Sequence, residues 1–343
     1  MKKHRASNNG VVTLQQVAER VGLTKGTVSA VLNDSPAAKA IPKGTKDRIL
    51  AAAQDLSYRP NFFARSLRNK RTFTIGVIAE EIGDPYGAMV ISGIEAFLSA
   101  RKYFFLTVVH RHNLEMLQQY EGVLLARGVE GFITVDTSLT QPPPLPTVAV
   151  AGHRRMARVT NIVLDHVQAV QDVLKHLVGL GHRKIAFLRG QPFSSDSADR
   201  WRAICDACSD LGISMPSELT VQLNEDDPSP NLGYRATREL LCRKRPFTAL
   251  FAYNDISAIG AIRAIRESGL GVPQDVSVVG FDDIREAAYH LPSLTTVRQP
   301  LRNMGEIAAQ TLVNRIEWQK KYPSQIAVKP EVVVRESTAQ AVS

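Results

Sequence analysis

Polar side chains directly follow several short apolar runs of the sequence, where they could bind a small polar molecule. The runs are typical of buried strands, and the residues after them carry carboxyl, amide and phenol groups. In open α/β folds, ligands bind at the carboxyl ends of parallel strands. The positions are Asp84 and Tyr86 after TIGVIAEEIG, Asp165 after NIVL, Asn254 and Asp255 after ALFAY, and Asp282 after VSVVGF.

The motifs of common enzyme classes are absent from the sequence. It contains no GxSxG, HExxH or Walker lysine loop, and no GxGxxG after a strand. The neighbouring carboxylates Asp282 and Asp283 could suggest acid–base chemistry, but adjacent residues on a strand or loop point apart. Capping of the following helical segment is their alternative role. We therefore expect a binding protein with no catalytic residue.

Cysteine usage predicts neither disulfides nor a metal site. The chain has three cysteines, an odd number too small for a disulfide framework. Cys205 and Cys208 form a CxxC spacing, but it falls in a helical stretch with no second pair of ligands nearby. We interpret both as helix thiols, and we expect no metal and no cofactor.

Positive charge is concentrated at the start of the chain. Residues 1–71 hold 14 of the 42 lysines and arginines but only four of the 33 acidic residues, a surplus of ten positive charges. The remaining residues hold 28 basic and 29 acidic side chains, so they are nearly neutral. A concentrated cationic surface is typical of proteins that neutralise DNA phosphates. A solvated charged face is the alternative.

The spacing of apolar residues in this basic segment predicts a helix-turn-helix. Leu14, Val17, Ala18 and Val21 recur at helical spacing, and Val28, Val31 and Leu32 form a second helical face. Between them, Gly22 can adopt the positive φ of a tight turn and Thr24 can cap the second helix.

A third helix and a basic linker follow. We expect Thr45 to cap a helix through KDRILAAAQDLSY after a loop at residues 34–44. The basic stretch RPNFFARSLRNKRT then reads as a linker that becomes helical on binding. These features predict a DNA-binding domain at residues 1–58 and a hinge at 59–71.

Beyond the hinge, strand-like and helical segments alternate. This βαβα pattern predicts doubly wound parallel sheets, and the number of strands favours two α/β subdomains with a cleft between them. We place this core at residues 72–343.

From Val12 to Thr338, the chain resembles the lactose-repressor (LacI-type) family of bacterial transcription regulators. Several ordered motifs carry the resemblance: VTLQQVAERVGLTKGTVSAVLN, YRPNFFARSLR, LGHRKIAFLRG, FAYNDISAIGAIRAIRESGLGVPQDVSVVGFDDI and SLTTVRQP. The resemblance implies an effector-binding and dimerisation core like a periplasmic sugar-binding protein, in which three strands cross between the subdomains and an effector occupies the cleft. On this basis the N-subdomain covers about 72–163 and 297–325, and the C-subdomain about 164–296 and 326–343.

The resemblance also places residues on DNA. Lys25, Gly26 and Ala30 match the family's base-reading positions in the major groove. Lys25 could donate to guanine and Ala30 could touch a thymine methyl, whereas Gly26 offers no side chain. Many family members carry arginine where Ala30 stands. Phosphate contacts, or merely capping and solvent-facing roles, fall to Thr24, Thr27, Ser29, Asn33 and Asn61.

In this family, paired hinge helices enter the minor groove and a leucine wedges a base step apart. The matching leucine is Leu67, with Ala64 and Arg68 beside it, and plain helix packing is the alternative role of Leu67. The loop after the second helix is about three residues longer than in related repressors. Its lysines, Lys39 and Lys43, could contact phosphates, or the loop could extend into solvent.

The resemblance implies an effector site formed by Tyr86, Asp165, Arg200, Asn254 and Asp282. Carboxylates, an amide, an arginine and one aromatic ring suit a sugar, a polyol or a small acid. The family's second aromatic residue after the proline is Gly87 here, and its frequent aspartate near VAVAG is Gly152. His153 or Phe193 could fill one gap.

These features predict a homodimeric repressor that binds a palindromic site in double-stranded DNA and responds to a sugar-like effector. The basic N-terminus lacks the apolar run of a signal peptide, and no stretch approaches the roughly 18 apolar residues of a membrane span. We expect a cytoplasmic protein with no membrane partner. An architectural DNA-binding protein that ignores small molecules is the alternative.

Overall fold

The computed structural model describes residues 12–59, 66, 70–152, 155–225 and 227–342 of the chain. The chain divides into two compact units, one ending at Thr72 and the other beginning at Phe73. Within the described ranges, every helix is too short or too polar to pass through a lipid bilayer.

The first unit is a small bundle of helices α1 (Leu14–Val21), α2 (Lys25–Leu32) and α3 (Lys43–Asp55). Thr13 begins α1 with a capping box, and Gly22 ends it with φ 67°, as expected for a left-handed turn. The Thr24 side chain accepts a hydrogen bond from the Thr27 amide and so caps α2. The predicted helix-turn-helix is confirmed.

Each helix of this unit contributes a fully buried aliphatic side chain. Val17, Val28 and Ile49 come from α1, α2 and α3, and each has 0% of its surface exposed. Arg48 Nη2 of α3 also donates to the carbonyl oxygen of Val21 at 2.9 Å, which satisfies an end of α1. A shared apolar core and the hydrogen bond from Arg48 therefore hold the bundle together.

Two details between α2 and α3 differ from the sequence-based expectation. The loop contains a 3₁₀ helix at Pro36–Ala40, which packs against α2. Thr45 lies inside α3 and does not cap it, because the helix begins at Lys43 behind Pro42. The Thr45 amide already donates to the Pro42 carbonyl oxygen at 3.0 Å, as in a first helical turn.

The second unit contains two six-stranded sheets. The first holds β1 (Thr74–Ala79), β2 (Phe104–Val109), β3 (Phe132–Val135), β4 (Thr147–Val150), β5 (Val159–Leu164) and β11 (Gln325–Val328). Their order is β11-β5-β4-β3-β1-β2, and all neighbours are parallel. Its described helices are α4 (Pro85–Ala100), α5 (Leu114–Ala126) and α11 (Leu301–Trp318).

The second sheet repeats this strand order further along the chain. It holds β6 (Ile185–Arg189), β7 (Thr220–Gln222), β8 (Ala249–Phe251), β9 (Ser277–Asp282), β10 (Thr295–Arg298) and β12 (Glu331–Val333), in the order β12-β10-β9-β8-β6-β7. Only the β10–β12 pair is antiparallel. The helices of this half are α6 (His166–Gly179), α7 (Ser195–Asp210), α8 (Asn231–Cys242), α9 (Asp255–Glu267) and α10 (Arg285–Tyr289), with a 3₁₀ turn at Ser217–Leu219.

The chain passes between the sheets three times: after β5, after β10 and after β11. The second pass lies slightly later than the expected boundary at residue 297, because Val297 is still paired with Phe281 in the second sheet. The third pass follows Val328 and not residue 325, because β11 pairs with β5 from Gln325 opposite Asn161 to Val328 opposite Leu164. Two doubly wound sheets therefore form the core.

Candidate functional site

The start of α2 presents a short, polar and open surface. Lys25 and Gly26 occupy its first two positions and are both exposed. A side chain at Gly26 would have room, since a Cβ there would lie 3.7 Å from the Thr24 hydroxyl oxygen. Thr24 and Thr27 share a hydrogen bond of 3.0 Å between their hydroxyl oxygens. Lys25 is therefore the long cationic side chain at the beginning of the helix.

The later positions of α2 are more enclosed. Ala30, at which the family often carries arginine, is only 9% exposed, and its carbonyl oxygen accepts the Ser35 amide just before the 3₁₀ helix. Asn33 Nδ2 donates to the carbonyl oxygen of Ser29 at 2.8 Å, so its amide is engaged at the end of α2. The exposed surface of α2 is consequently centred on its first turn.

The hinge residues expected to bind the minor groove lie outside the described part of the chain. These residues are Asn61, Ala64, Leu67 and Arg68. Their roles stay predictions from the resemblance.

In the second unit, a cavity of about 110 Å³ lies where strands of both sheets end. Four of the five predicted effector residues line it: Tyr86, Arg200, Asn254 and Asp282. Asp165 does not. It is exposed and caps α6, where its Oδ1 accepts the Gln168 amide at 3.1 Å. The expectation that ligands bind at the carboxyl ends of strands therefore located four residues of the cleft. It also selected one residue that caps a helix, because both roles favour aspartate after a strand.

Arg200 is buried in this cleft, with only 3% of its surface exposed, and several groups contact it. Its Nη1 donates to the Tyr253 carbonyl oxygen at 2.5 Å, and its Nη2 lies 3.4 Å from Asp196 Oδ2. The guanidinium carbon lies 3.6 Å from the centre of the Phe281 ring and 4.6 Å from that of Tyr253. Aromatic rings and a carboxylate together stabilise the buried cation.

Asp282 stands at the end of β9 in a backbone conformation unusual for a residue with a side chain. Its φ is 115°, and its side chain is buried with Oδ1 accepting from Gln299 Nε2 at 2.6 Å. Burial raises the pKa of Asp282 well above its usual range, although nearby Arg200 opposes the shift. The helix that follows has Ile284 as its N-cap and no side-chain cap. The capping alternative for Asp282 and Asp283 is therefore wrong.

The beginning of α4 forms another wall of the cleft. Asp84 Oδ1 accepts the Gly87 amide at 2.8 Å and caps the helix. Burial raises the pKa of Asp84 to about 6, and the charges of Asp136 and Glu81 act in the same direction. The Tyr86 hydroxyl is buried and has no hydrogen-bond partner among the described residues.

The space around Gly87 is too small for the aromatic residue that the family often carries at this position. A Cβ at this position would lie 2.5 Å from the Glu81 carbonyl oxygen, closer than real Cβ contacts allow. The turn before α4 therefore excludes a side chain here. Of the two residues considered as replacements, Phe193 lines the cleft and its ring centre lies 3.9 Å from that of His112, whereas His153 lies outside the described residues.

Sequence reasoning missed most of the acidic residues of the cleft. Asp136 directly follows β3, so it also lies at the carboxyl end of a strand, but the sequence did not distinguish it from a loop residue. Asp196 lies at the start of α7, for which no strand signal exists. The acidic residues that were missed are Glu80, Glu81, Asp136, Asp196 and Asp227. Among the described residues, no group of histidine, cysteine and carboxylate side chains is arranged to hold a metal ion.

Comparison with known proteins identifies the families to which both parts of the chain are similar. Residues 13–61 match the family model for bacterial regulatory proteins of the lacI family, and residues 174–338 match the model for a periplasmic binding protein-like domain. The chain is 32% identical to the HTH-type transcriptional repressor PurR of Erwinia tasmaniensis, over 96% of this chain and 97% of that protein. The PurR repressor of Yersinia enterocolitica is 31% identical over the same shares.

Solved structures give the same result. The lac repressor dimer bound to operator and the anti-inducer ONPF superposes with a TM-score of 0.84 and 27% identity, covering 96% of this chain and 99% of that one. The transcriptional regulator CelR in complex with cellobiose gives a TM-score of 0.68 and 28% identity, covering 95% of this chain and 99% of that one.

Proposed function

The chain belongs to the LacI family of bacterial regulatory proteins, and on this premise we propose that it is a transcriptional repressor whose affinity for DNA a small molecule controls. It binds a palindromic operator as a homodimer. It is not an enzyme, and the small molecule is an effector and not a cofactor. A repressor acts where the chromosome is, in the cytoplasm.

The observation that carries this proposal is the presence in one chain of a helix-turn-helix and a polar ligand cleft. The first has an exposed lysine at the start of its second helix, and the second holds a buried arginine among carboxylates. A DNA-reading surface alone would suit an architectural protein, and a cleft alone would suit a solute receptor. Their combination supports regulation by a ligand.

In DNA binding, Lys25 supplies the main direct base contact, to guanine O6 and N7. Gly26 leaves space beside it, and the small exposure of Ala30 limits that residue to at most an edge contact with a thymine methyl. Thr24, Thr27 and Ser29 face phosphates, with Asn33 supporting Ser29. Asn61, Ala64, Leu67 and Arg68 act in the hinge at the minor groove and the adjoining phosphates.

In the core, Tyr86, Arg200, Asn254 and Asp282 bind the effector, which is a sugar or a related metabolite. Asp165 is excluded from this set because it caps α6 outside the cleft.

The test is to footprint the purified protein on genomic DNA and then measure affinity for the recovered site with and without candidate metabolites. We expect a palindromic site and a change in affinity of roughly 5- to 150-fold with the effector. A protein that prefers no duplex sequence at physiological salt contradicts the proposal. Sequence preference that no metabolite changes would favour the architectural alternative.

A further inference from the structure

The cleft contains a large excess of negative charge. Seven carboxyl side chains and one guanidinium line it; the carboxyl groups are those of Glu80, Glu81, Asp84, Asp136, Asp196, Asp227 and Asp282, and the guanidinium is that of Arg200. Few protein cations are therefore available inside the cleft to balance these acids. An anionic ligand would meet repulsion from most of the lining.

Three of the carboxylates have basic partners. Glu80 Oε1 lies 2.5 Å from His112 Nε2, and Glu81 Oε2 lies 3.4 Å from Arg111 Nε. Asp196 lies 3.4 Å from Arg200 and also 3.4 Å from His166.

Asp84 and Asp282 differ from these three. Within the described part of the chain, neither forms an ion pair, and their hydrogen-bond donors are neutral: the Gly87 amide for Asp84 and the Gln299 amide for Asp282. Both side chains line the cleft. Asp84 is half-buried, and Asp282 is buried with Arg200 nearby but not in an ion pair. A desolvated carboxylate without an ion-pair partner is costly to hold ionised, and a ligand with positive charge would lower that cost.

Two further buried polar atoms of the cleft have no hydrogen-bond partner among the described residues, which indicates a ligand. They are the Tyr86 hydroxyl and Arg200 Nε. Only 3% of the Arg200 surface is exposed, and both residues line the cleft. Arg200 Nε can only donate, so it calls for an acceptor such as a hydroxyl or carbonyl oxygen. The Tyr86 hydroxyl can donate or accept.

Resting on the function proposed above, we propose that the effector is a small organic cation: a protonated amine that also carries hydroxyl or carbonyl oxygens. Its ammonium group binds the carboxylates of Asp84 and Asp282, and an oxygen of the same molecule accepts from Arg200. An amino sugar is the kind of compound that fits this description.

An organic cation fits the cleft better than a metal ion. The described residues do not bring three carboxylate, histidine or cysteine ligands together at metal-binding geometry. The rings of Tyr86, Phe193 and Tyr253 also line the cleft, and aromatic faces attract organic ammonium groups. The raised pKa of Asp84, about 6, agrees with a site where negative charge is crowded and partly desolvated.

The first experiment compares ligands that differ in charge but share one scaffold. Glucosamine, glucose and glucuronate form such a set, within a wider library of metabolic amines, neutral polyols and carboxylates. Binding to the full chain is measured by thermal shift and calorimetry at pH 7.5. We expect amines to bind, and the amine of a matched set to bind at least tenfold more tightly than its neutral and anionic members. Tighter binding of the neutral or anionic member, or no binding by any amine, overturns the proposal.

The second experiment needs no ligand. Asp84→Asn keeps an N-cap but removes a charge, so we expect a higher unfolding temperature of the free protein at pH 7.5. Asp165→Asn is the matched control, because Asp165 also caps a helix through one amide but is exposed outside the cleft. We expect this control to leave the temperature unchanged or slightly lower. A loss of stability in Asp84→Asn as large as that in Asp165→Asn, or larger, overturns the proposal.

Operator binding separates this proposal from the proposed function. If the protein binds an operator and responds to a neutral or anionic metabolite, the regulator stands and the cationic effector is wrong. If an amine binds but DNA affinity never changes, the cleft chemistry stands and its regulatory role is wrong. Asp84→Asn that binds the amine at least tenfold more weakly supports the cationic effector, and an amine that also changes the operator affinity of the unaltered protein supports both.

Discussion

At the scale of single residues, direct readout of DNA depends heavily on Lys25. Gly26 has no side chain and Ala30 is nearly buried, so the exposed first turn of α2 offers one long donor. We expect Lys25→Ala to reduce discrimination at one base pair of each half-site by about 1–3 kcal/mol. Selection from a randomised half-site would measure this loss as a flattened base preference.

Lys43→Ala provides the control for this variant. Lys43 is exposed at the start of α3 and follows the 3₁₀ helix along the chain. If it contacts phosphate, its loss should weaken binding to all sequences equally and lower the salt slope by about one. A base preference that Lys25→Ala leaves intact would count against direct readout by Lys25.

Asp255 carries a second prediction at this scale. It is fully buried at the start of α9, where it accepts from the Thr296 hydroxyl at 2.5 Å and from the Ile284 amide at 2.9 Å. Burial raises its pKa to about 7. The folded protein therefore binds more protons here than the unfolded chain between about pH 4 and 7. This contribution to stability is fully present below about pH 4 and is lost as the pH rises through 7.

Asp255→Asn removes that titration. Urea unfolding at several pH values should show wild-type stability falling between pH 5 and 7.5 by up to about 1.4 kcal/mol per unit from this group. The variant should show a shallower fall, together with a loss of about 1–3 kcal/mol at pH 5 from the altered hydrogen bonds. Parallel pH curves for the two proteins would mean that Asp255 does not titrate in this range.

At the scale of elements, the helices and strands with regular apolar spacing could be predicted from sequence. The turn at Gly22 and the cap at Thr24 were predictable because few residue types satisfy those backbone positions. The 3₁₀ helix at Pro36–Ala40 was not, since so short an element leaves no periodicity. The passage of the chain between sheets was not derivable from composition either, because β11 and β12 look alike as short strands.

The same limit applies to the cleft. Asp282 could be predicted because it ends the mainly apolar strand β9, and Asn254 because it follows the apolar strand β8 by three residues. The accumulation of acids could not, because it depends on which loops meet when both sheets have folded. Gly87 shows this most clearly: its sequence neighbours give no sign that the Glu81 carbonyl leaves no space for a side chain.

Close packing of α4 against α11 makes two glycines essential in the core. A Cβ at Gly93 would lie 1.9 Å from the Arg302 carbonyl oxygen, and one at Gly305 would lie 2.1 Å from that of Val90. Since both obstacles are backbone atoms, the helices would have to separate. We expect Gly93→Ala to lower the free energy of unfolding by about 1–3 kcal/mol or more, measured by urea denaturation.

Gly122→Ala is the matched control, because Gly122 is exposed on α5 and an added Cβ would meet no other atom within 4 Å. This variant should be neutral or more stable by about 0.5–1 kcal/mol, through the helix preference of alanine. If both substitutions had the same effect, the close helix contact would not be a constraint.

The hinge is the element for which the family resemblance makes a separate prediction. We expect Leu67→Ala to weaken specific operator binding much more than binding to random duplex, because a base-step wedge acts only on the bent specific site. The lost free energy should be a few kcal/mol, measured by fluorescence anisotropy on both DNAs. Leu67→Ile, which keeps the apolar volume, is the control. Equal losses of affinity for operator and random DNA would contradict the insertion of Leu67 between base pairs.

At the scale of the whole molecule, positive charge is concentrated in one part of the chain. Residues 1–71 carry ten surplus positive charges, while the remainder is nearly neutral. Phosphate attraction therefore belongs to the first part and contributes affinity without much specificity. Two such heads must be joined before a palindrome can be distinguished from random DNA, so assembly of the second unit decides whether the chain works as a repressor.

In the second unit, two large exposed apolar side chains lie close together in sequence, and we expect them to belong to the dimer interface. Tyr289 and Leu291 are 87% and 74% exposed, and Leu291 borders a groove also lined by Tyr234 and Ile259. Large exposed apolar side chains beside a groove are typical of protein interfaces. A two-fold axis near them would let each copy insert its side chains into the groove of the other.

Leu291→Asp tests this interface, because burial of a new carboxylate at the symmetry axis would repel its own copy. We expect a dimer for the wild type and a monomer for the variant in analytical ultracentrifugation. Operator affinity should fall about 100-fold or more, since the second head no longer binds as part of one molecule. Val167→Asp is the control: Val167 is 58% exposed on α6 and should tolerate the charge with dimer and affinity intact. If the Leu291→Asp protein stays dimeric, the dimer interface lies on another face of the core.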